Sequence, residues 1–455
     1  MQLPAITQSA PLRGEKRHKI TAGYMTGCPA THSSGESMRA TTNTRRLMSE
    51  ELITAIIGRF VDAGSLAGAA TLVWQDGQVL QAAGVGWRDM ELNMPMERDT
   101  LFRIASMTKP VTSTAALMLL EEGRFALNDP ITRWAPEFSQ MRVLRSSTST
   151  LDQTDPAERL ITFEDLLTHR SGLTYADWHS GPIAEAYQEA LGGTIDSDVL
   201  PDDWIAGLAA LPLIDQPGAA FHYGHSTDLL GLLIARMEDA PLGDVLKRRI
   251  FDPLGMSDTG FTVPAEKRQR QAKTYGFDDS GRLVARLAGP GGSFLPERPA
   301  GMTFVSGGQG LWSTLDDYLA FARMFVGAGA VDGVRLLRPE TVKLMTTNNL
   351  SEIQLRNARS MLNAGHGYGF GVATVIDPQK AGPMPCGGGM GAVGWPGAFG
   401  GWWRADPSNN SVLIFLAHNL VELEQLFEGI GAGVYEAIAQ FQAHSPSLLR
   451  SRKAT

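Results

Sequence analysis

The chain has 455 residues, of which 43% are hydrophobic and 19% charged, with a formal net charge of -8. This is globular material, long enough for two or three domain-sized cores. The acidic balance argues against a nucleic-acid or anionic-membrane partner, since phosphate surfaces are met by clustered Lys and Arg. Two cysteines, Cys28 and Cys386, lie far apart without His or Cys neighbours at ligand spacing, which suggests neither a disulfide framework nor a metal site. No run approaches the roughly 18 apolar residues of a membrane helix, and the first residues lack the apolar segment of a secretory signal. A soluble, cytoplasmic protein is the expectation.

Residues 1–45 carry Pro, Gly, Ser, Thr and a basic cluster (Arg13, Lys16, Arg17, Lys19) without sustained periodicity, and read as a loose extension. From Glu50 the apolar spacing of Leu52, Ile53, Ile56, Ile57, Phe60 and Val61 predicts a helix, with Ser49 and two acidic residues suiting its start. Ala69 to Trp74 and Gln78 to Gly84 flank Gln75-Asp76-Gly77 and predict a β-hairpin, because Asp-Gly supplies the positive φ of a tight turn. Thr112 to Gly123 predicts a helix stopped by glycine, which places Ser106 at or near a helix N-terminus.

Between Asn128 and Arg286 the pattern is a series of helical segments: Thr162 to Thr168, Pro182 to Leu191, Leu200 to Ala210, Thr227 to Glu238 and Pro241 to Ile250. Strand patterns return at Gly367 to Ile376, Ala398 to Ala405 and Val412 to Ala417, before an apolar helix around Leu423 to Phe441. Strands at both ends of a helical middle predict an α/β (α+β) fold. Residues 46–127 and 287–455 would form one discontinuous sheet-bearing domain and residues 128–286 a mostly helical one, with a cleft at the junction.

Ser106-Met107-Thr108-Lys109 has the form S-x-x-K, which puts a hydroxyl and an amine on one face of a first helical turn. The amine can then take the hydroxyl proton if burial or nearby positive charge lowers its pKa. Alone the tetrapeptide is weak, since about one match arises by chance in a chain of this length. A Ser106 helix cap beside a solvated Lys109 is the plainer alternative.

The surrounding residues add to this. Leu101-Phe102-Arg103-Ile104-Ala105-Ser106-Met107-Thr108-Lys109 resembles the nucleophile segment of the serine β-lactamase and penicillin-binding-protein superfamily, closest to class C β-lactamases and family VIII carboxylesterases. Ile161 to Leu173 is similar to that family's LLTHTSGL stretch. Phe221-His222-Tyr223-Gly224-His225-Ser226, Phe251 to Met256 and Gly308 to Thr314 also resemble family segments, in order, over about residues 50–420. The resemblance implies a β-lactamase-like antiparallel sheet flanked by helices.

It further implies Tyr223 as the second proton-handling group, its phenol drawn towards the working range by a cationic neighbour; core packing is the alternative for a lone Tyr. His225 stands where the family has Asn, and would either contact substrate or bond a backbone carbonyl to position its loop. The third family motif, Lys-Thr-Gly, falls at Trp395-Pro396-Gly397, similar to the Trp-x-Gly of family VIII carboxylesterases. Loss of the cation favours neutral substrates, Gly397 would allow close backbone approach, and Trp395 would line the site or simply pack beside Trp402 and Trp403. By position, the N–H groups of Ser106 and Ala398 would form an oxyanion hole.

His169 and Ser171 read as structural bracing and Gly387-Gly388-Gly389 as a turn near the cleft. The expected activity is hydrolysis of small-molecule carboxylic esters through an acyl-enzyme on Ser106, requiring no cofactor or metal. Acyltransferase, D-aminopeptidase or amidase, and weak β-lactamase chemistry are the alternatives on the same fold. A catalytically silent binding or scaffold protein is the alternative outside enzymes.

Overall fold

The computed structural model describes residues 51–286, 302–381, 387–422, 425–426 and 428–449. The expected N-terminal extension, both cysteines and the domain boundary at 287 lie outside these residues. Strands of the main sheet are numbered by themselves: β1 (Gly68–Gln75), β2 (Gln78–Asp89), β3 (Met94–Pro95), β4 (His366–Tyr368), β5 (Ala373–Val375), β6 (Val393–Gly397), β7 (Gly401–Asp406) and β8 (Ser411–Ala417). Every neighbouring pair is antiparallel, in the order β4-β5-β6-β7-β8-β1-β2-β3. The β1–β8 pair therefore joins the two ends of the sequence.

The predicted hairpin is present, and Asp76 and Gly77 turn it with φ of 48° and 84°. β8 and its neighbour β1 lie inside the sheet and are buried along their whole length, which is why their sequences are nearly continuous apolar runs. Ala69 and Val73 of β1 pack with Ile53 and Ile57 of the first helix, α1 (51–62), and with residues of the last, which spans Ala432–His444. Ala70, Leu72 and Trp74 point the other way, into the larger core shared with Val111, Leu315, Tyr318 and Phe321.

Between β3 and β4 the chain is chiefly helical. The helices used below are α2 (Thr108–Glu121), α3 (Phe163–Leu167), α4 (Pro182–Leu191), α5 (Pro201–Ala210) and α6 (Ser226–Glu238). The Thr162 side chain opens α3 through a capping box with Asp165. The stretch 128–286 is not purely helical: Arg142–Leu144 pairs with Thr154–Pro156, and Tyr275–Phe277 with Leu283–Ala285. Such three-residue strands are too short to show a period of two.

Among the described residues no helix is long and apolar enough to cross a membrane.

Candidate active site

The segment leading into α2 is held in place before it reaches Ser106. Phe102 and Arg103 pair with Ser313 and Trp312, and the Ile104 N–H donates to the Leu311 carbonyl at 3.0 Å. Ala105 then takes a φ of 42°, a left-handed conformation uncommon outside glycine, and the chain turns through Ala105–Met107 into α2. Ser106 thus sits at a helix N-terminus, as its sequence context predicts. Nearly all of the first two turns of α2 is buried, so Lys109 is carried into the interior.

Lys109 is fully buried and donates to three oxygens: Ser106 Oγ at 3.1 Å, Tyr175 Oη at 3.2 Å and the Gly308 carbonyl at 3.1 Å. The solvated-charge alternative for Lys109 is excluded by this burial. Removal from water pulls its amine down from an ordinary 10.5 to about 7, with the charge of Asp228 opposing. The amine is therefore poised to exchange a proton with the serine hydroxyl near neutral pH.

Tyr223 precedes α6, and its hydroxyl lies close enough to Ser106 for that side chain to ease part of the effect of burial on the phenol. The Lys109 amine lies over the Tyr223 ring, 4.5 Å from its centroid. The expected lowering of the phenol pKa by a cation is not what the site shows. Burial pushes Tyr223 well above its ordinary value, which leaves it a neutral hydroxyl. The His169 ring packs 4.8 Å from that of Tyr223, and its carbonyl accepts the His222 N–H at 2.8 Å. His169 thus braces the segment that carries Tyr223.

Trp395 on β6 is buried and donates from Nε1 to the Tyr223 hydroxyl at 2.9 Å. Its ring packs with Tyr368 and Phe221, in a cluster separate from those that hold Trp402 and Trp403, so it belongs to the site's aromatic wall. Pairing of β5 with β6 ends at Gly394, leaving Pro396 paired to Trp402 alone. The outer edge is open there, where a residue without an N–H is tolerated. A Cβ on Gly397 would lie 2.4 Å from the Ile104 carbonyl, so only glycine lets β6 approach the Ser106 segment this closely. Ala398 follows at the exposed end of that strand. Arg404 on β7 is buried and donates to the Gly387 carbonyl at 2.6 Å.

His225 is buried, and its Nδ1 bonds Asp228 Oδ2 at 3.0 Å. The partner is a carboxylate, not the backbone carbonyl weighed from the sequence. Asp228, Tyr175 and Ser306 are the site's residues that sequence reasoning missed. The one signal available was Asp228 standing three residues after His225, at the head of the apolar run Leu229 to Ile234.

No group of three or more His, Cys, Asp or Glu among the described residues is arranged to hold a metal ion.

A family model described as Beta-lactamase matches residues 53–429. Protein Rv1367c of Mycobacterium tuberculosis is 46% identical over 400 residues, covering 87% of this chain and 96% of its own. Esterase EstB of Burkholderia gladioli is 29% identical over 387 residues, covering 81% and 90%. Among solved structures, EstCE1, a hydrolase with promiscuous acyltransferase activity, superposes with a TM-score of 0.70 at 24% identity, covering 90% of this chain and 99% of that one; the likeness is one of fold. Together with the sheet and the S-x-x-K turn, the match over residues 53–429 places this chain in the β-lactamase family.

Proposed function

We propose that the chain is a carboxylesterase-type serine hydrolase acting through an acyl-enzyme on Ser106. The observation that carries this reading is the buried Lys109 amine, 3.1 Å from Ser106 Oγ and poised at about 7. Neutral Lys109 accepts the hydroxyl proton as Ser106 Oγ attacks the ester carbonyl. The N–H groups of Ser106 and Ala398, at the helix start and the end of β6, receive the developing oxyanion. Tyr223, beside Ser106, passes a proton to the departing alkoxide and is reprotonated from Lys109. Water enters by the reverse route and releases the acid.

Esters are favoured over β-lactams because the place of the motif's cation is taken by Trp395, whose indole N–H is already engaged by Tyr223. A carboxylate brought against this wall would lose its hydration without a charged partner. The esterase named among the relatives supports the same substrate class. His225 would act on substrate only through the layer behind the amine, and the cleft is taken to lie where residues 128–286 meet the sheet.

The test is side-by-side kinetics with a short-chain p-nitrophenyl ester and a chromogenic cephalosporin. The ester should be turned over with a kcat/KM at least about 100-fold higher, and Ser106→Ala should abolish the activity. Equal or greater efficiency on the cephalosporin overturns the ester reading.

A further inference from the structure

Two of the three oxygens that hold the Lys109 amine are placed by a single carboxylate. Asp228 lies in the first turn of α6 and is fully buried. Its Oδ2 accepts the Tyr175 hydroxyl at 3.3 Å and His225 Nδ1–H at 3.0 Å. Its Oδ1 accepts the Gly308 N–H at 2.9 Å and the Ser306 hydroxyl. Tyr175 and Gly308 are the residues whose oxygens receive the amine. Gly308 fits because it lacks a side chain: a Cβ there would stand 3.0 Å from Asp228 Oδ1 and 3.1 Å from the Tyr175 hydroxyl.

Four donors fill the acceptor sites of an ionised carboxylate. Burial alone would raise the Asp228 pKa, but the hydrogen bonds from His225 and Ser306 and the charge of Lys109 hold it below its ordinary range. The carboxylate is therefore ionised throughout the range in which Lys109 titrates.

We propose that Asp228 is a positioning residue for proton transfer, fixing through Tyr175 and Gly308 the place of the Lys109 amine against Ser106, and setting by its charge the pH range in which that amine accepts a proton. The inference rests on the hydrolase reading above. The titratable groups facing the amine are Tyr175 and His169 from the segment after α3, Tyr223 from the segment before α6, and Asp228 itself. His225 lies behind Asp228, and Tyr368 of β4 faces Tyr223. Burial raises the three tyrosines and lowers His169, so all four are neutral near pH 7. Among the described residues, Asp228 is the anion of this shell.

Asp228→Asn keeps the shape, replaces an acceptor oxygen by an NH₂ that opposes the existing donors, and removes the charge. The experiment measures kcat and KM for p-nitrophenyl ester hydrolysis from pH 5.5 to 9, with fluorophosphonate labelling of Ser106 in parallel. An amine displaced by a fraction of an ångström should cost about 10- to 100-fold in kcat, with KM within about threefold because no substrate contact is lost. The anion favours the protonated amine, so its loss should move the rising limb of the kcat profile about one unit to lower pH.

An Asn variant with wild-type kcat and an unmoved limb overturns the proposal, as does a loss confined to KM. Should Asp228→Asn fail to fold, Ser306→Ala removes one donor and keeps the charge. It should lower kcat about 3- to 10-fold at unchanged KM, and wild-type kcat there overturns the proposal equally. Failure of wild-type protein to label at Ser106 would sink the hydrolase reading, whereas wild-type labelling beside an unaltered Asn variant sinks the role of Asp228 alone.

Discussion

Two buried cations flank the nucleophile, and they are paired in opposite ways. Arg103, three residues before Ser106, meets Asp196 directly at 2.7 Å with both side chains almost wholly buried, and its guanidinium lies 5.0 Å from the Trp312 ring centroid. Lys109, three residues after Ser106, is joined to Asp228 through Tyr175 and Gly308. Burial lowers the pKa of both cations and a carboxylate opposes it in both. Arginine stays charged regardless, so direct contact makes a fixed clamp. It ties the loop carrying Asp196 to the strand before Ser106, where Ile195 packs with Ala105 and Phe399. Setting the carboxylate one group away from a lysine leaves an amine that titrates.

The largest effects should come from the titrating side. Lys109→Ala and Tyr223→Phe should each lower kcat about 1,000-fold or more, and the double variant should lose far less than the product, because groups acting as one unit are not additive. Multiplicative losses in esterase kinetics would separate their roles.

Stability should reverse the order of the two pairs. Asp196→Ala removes the carboxylate from a buried guanidinium and should cost about 3–5 kcal/mol, read from the denaturant midpoint. Lys109→Met should cost nothing. The folded amine sits at about 7 against an ordinary 10.5, so the unfolded chain binds more protons between those values. The amine's contribution to stability therefore rises with pH across that window and is at its lowest below it, and removing it relieves the penalty at pH 7. A Lys109→Met protein clearly less stable than wild type would contradict the comparison.

The same value predicts the pH profile. Since neutral amine is the base, wild-type kcat should climb about 10-fold per unit below pH 7 and level above it; a profile flat from pH 5.5 to 8 would show that the amine is not the titrating group. The smallest effect is expected at the aromatic wall. Trp395→Phe removes one hydrogen bond to Tyr223 and should lower kcat/KM about 5- to 10-fold, without conferring activity on cephalosporins.

Local signals made much of this legible beforehand. The Asp76-Gly77 turn, the apolar spacing of α1 and the S-x-x-K turn each encode their structure within a few residues. Where local signals stop, so did the reading. The run Gly367 to Ile376 is two strands because Gly371 turns at a φ of 79°. The last helix begins at Ala432 because Gly429 and Gly431 adopt φ of 85° and 77°, although the apolar pattern starts earlier. The carboxylate behind Lys109 was not legible at all, since Asp228 lies 119 positions from the amine it governs, and Tyr175 and Gly308 join it only through the fold.

The claim that Ser106 becomes acylated is tested most directly by treating the folded protein with a fluorophosphonate at pH 8 and locating the adduct by peptide mass spectrometry. The account predicts one adduct, on Ser106, forming in step with loss of esterase activity and absent from Lys109→Ala. Complete loss of activity with the label on another residue, or sustained hydrolysis by the Ser106→Ala protein, would contradict it.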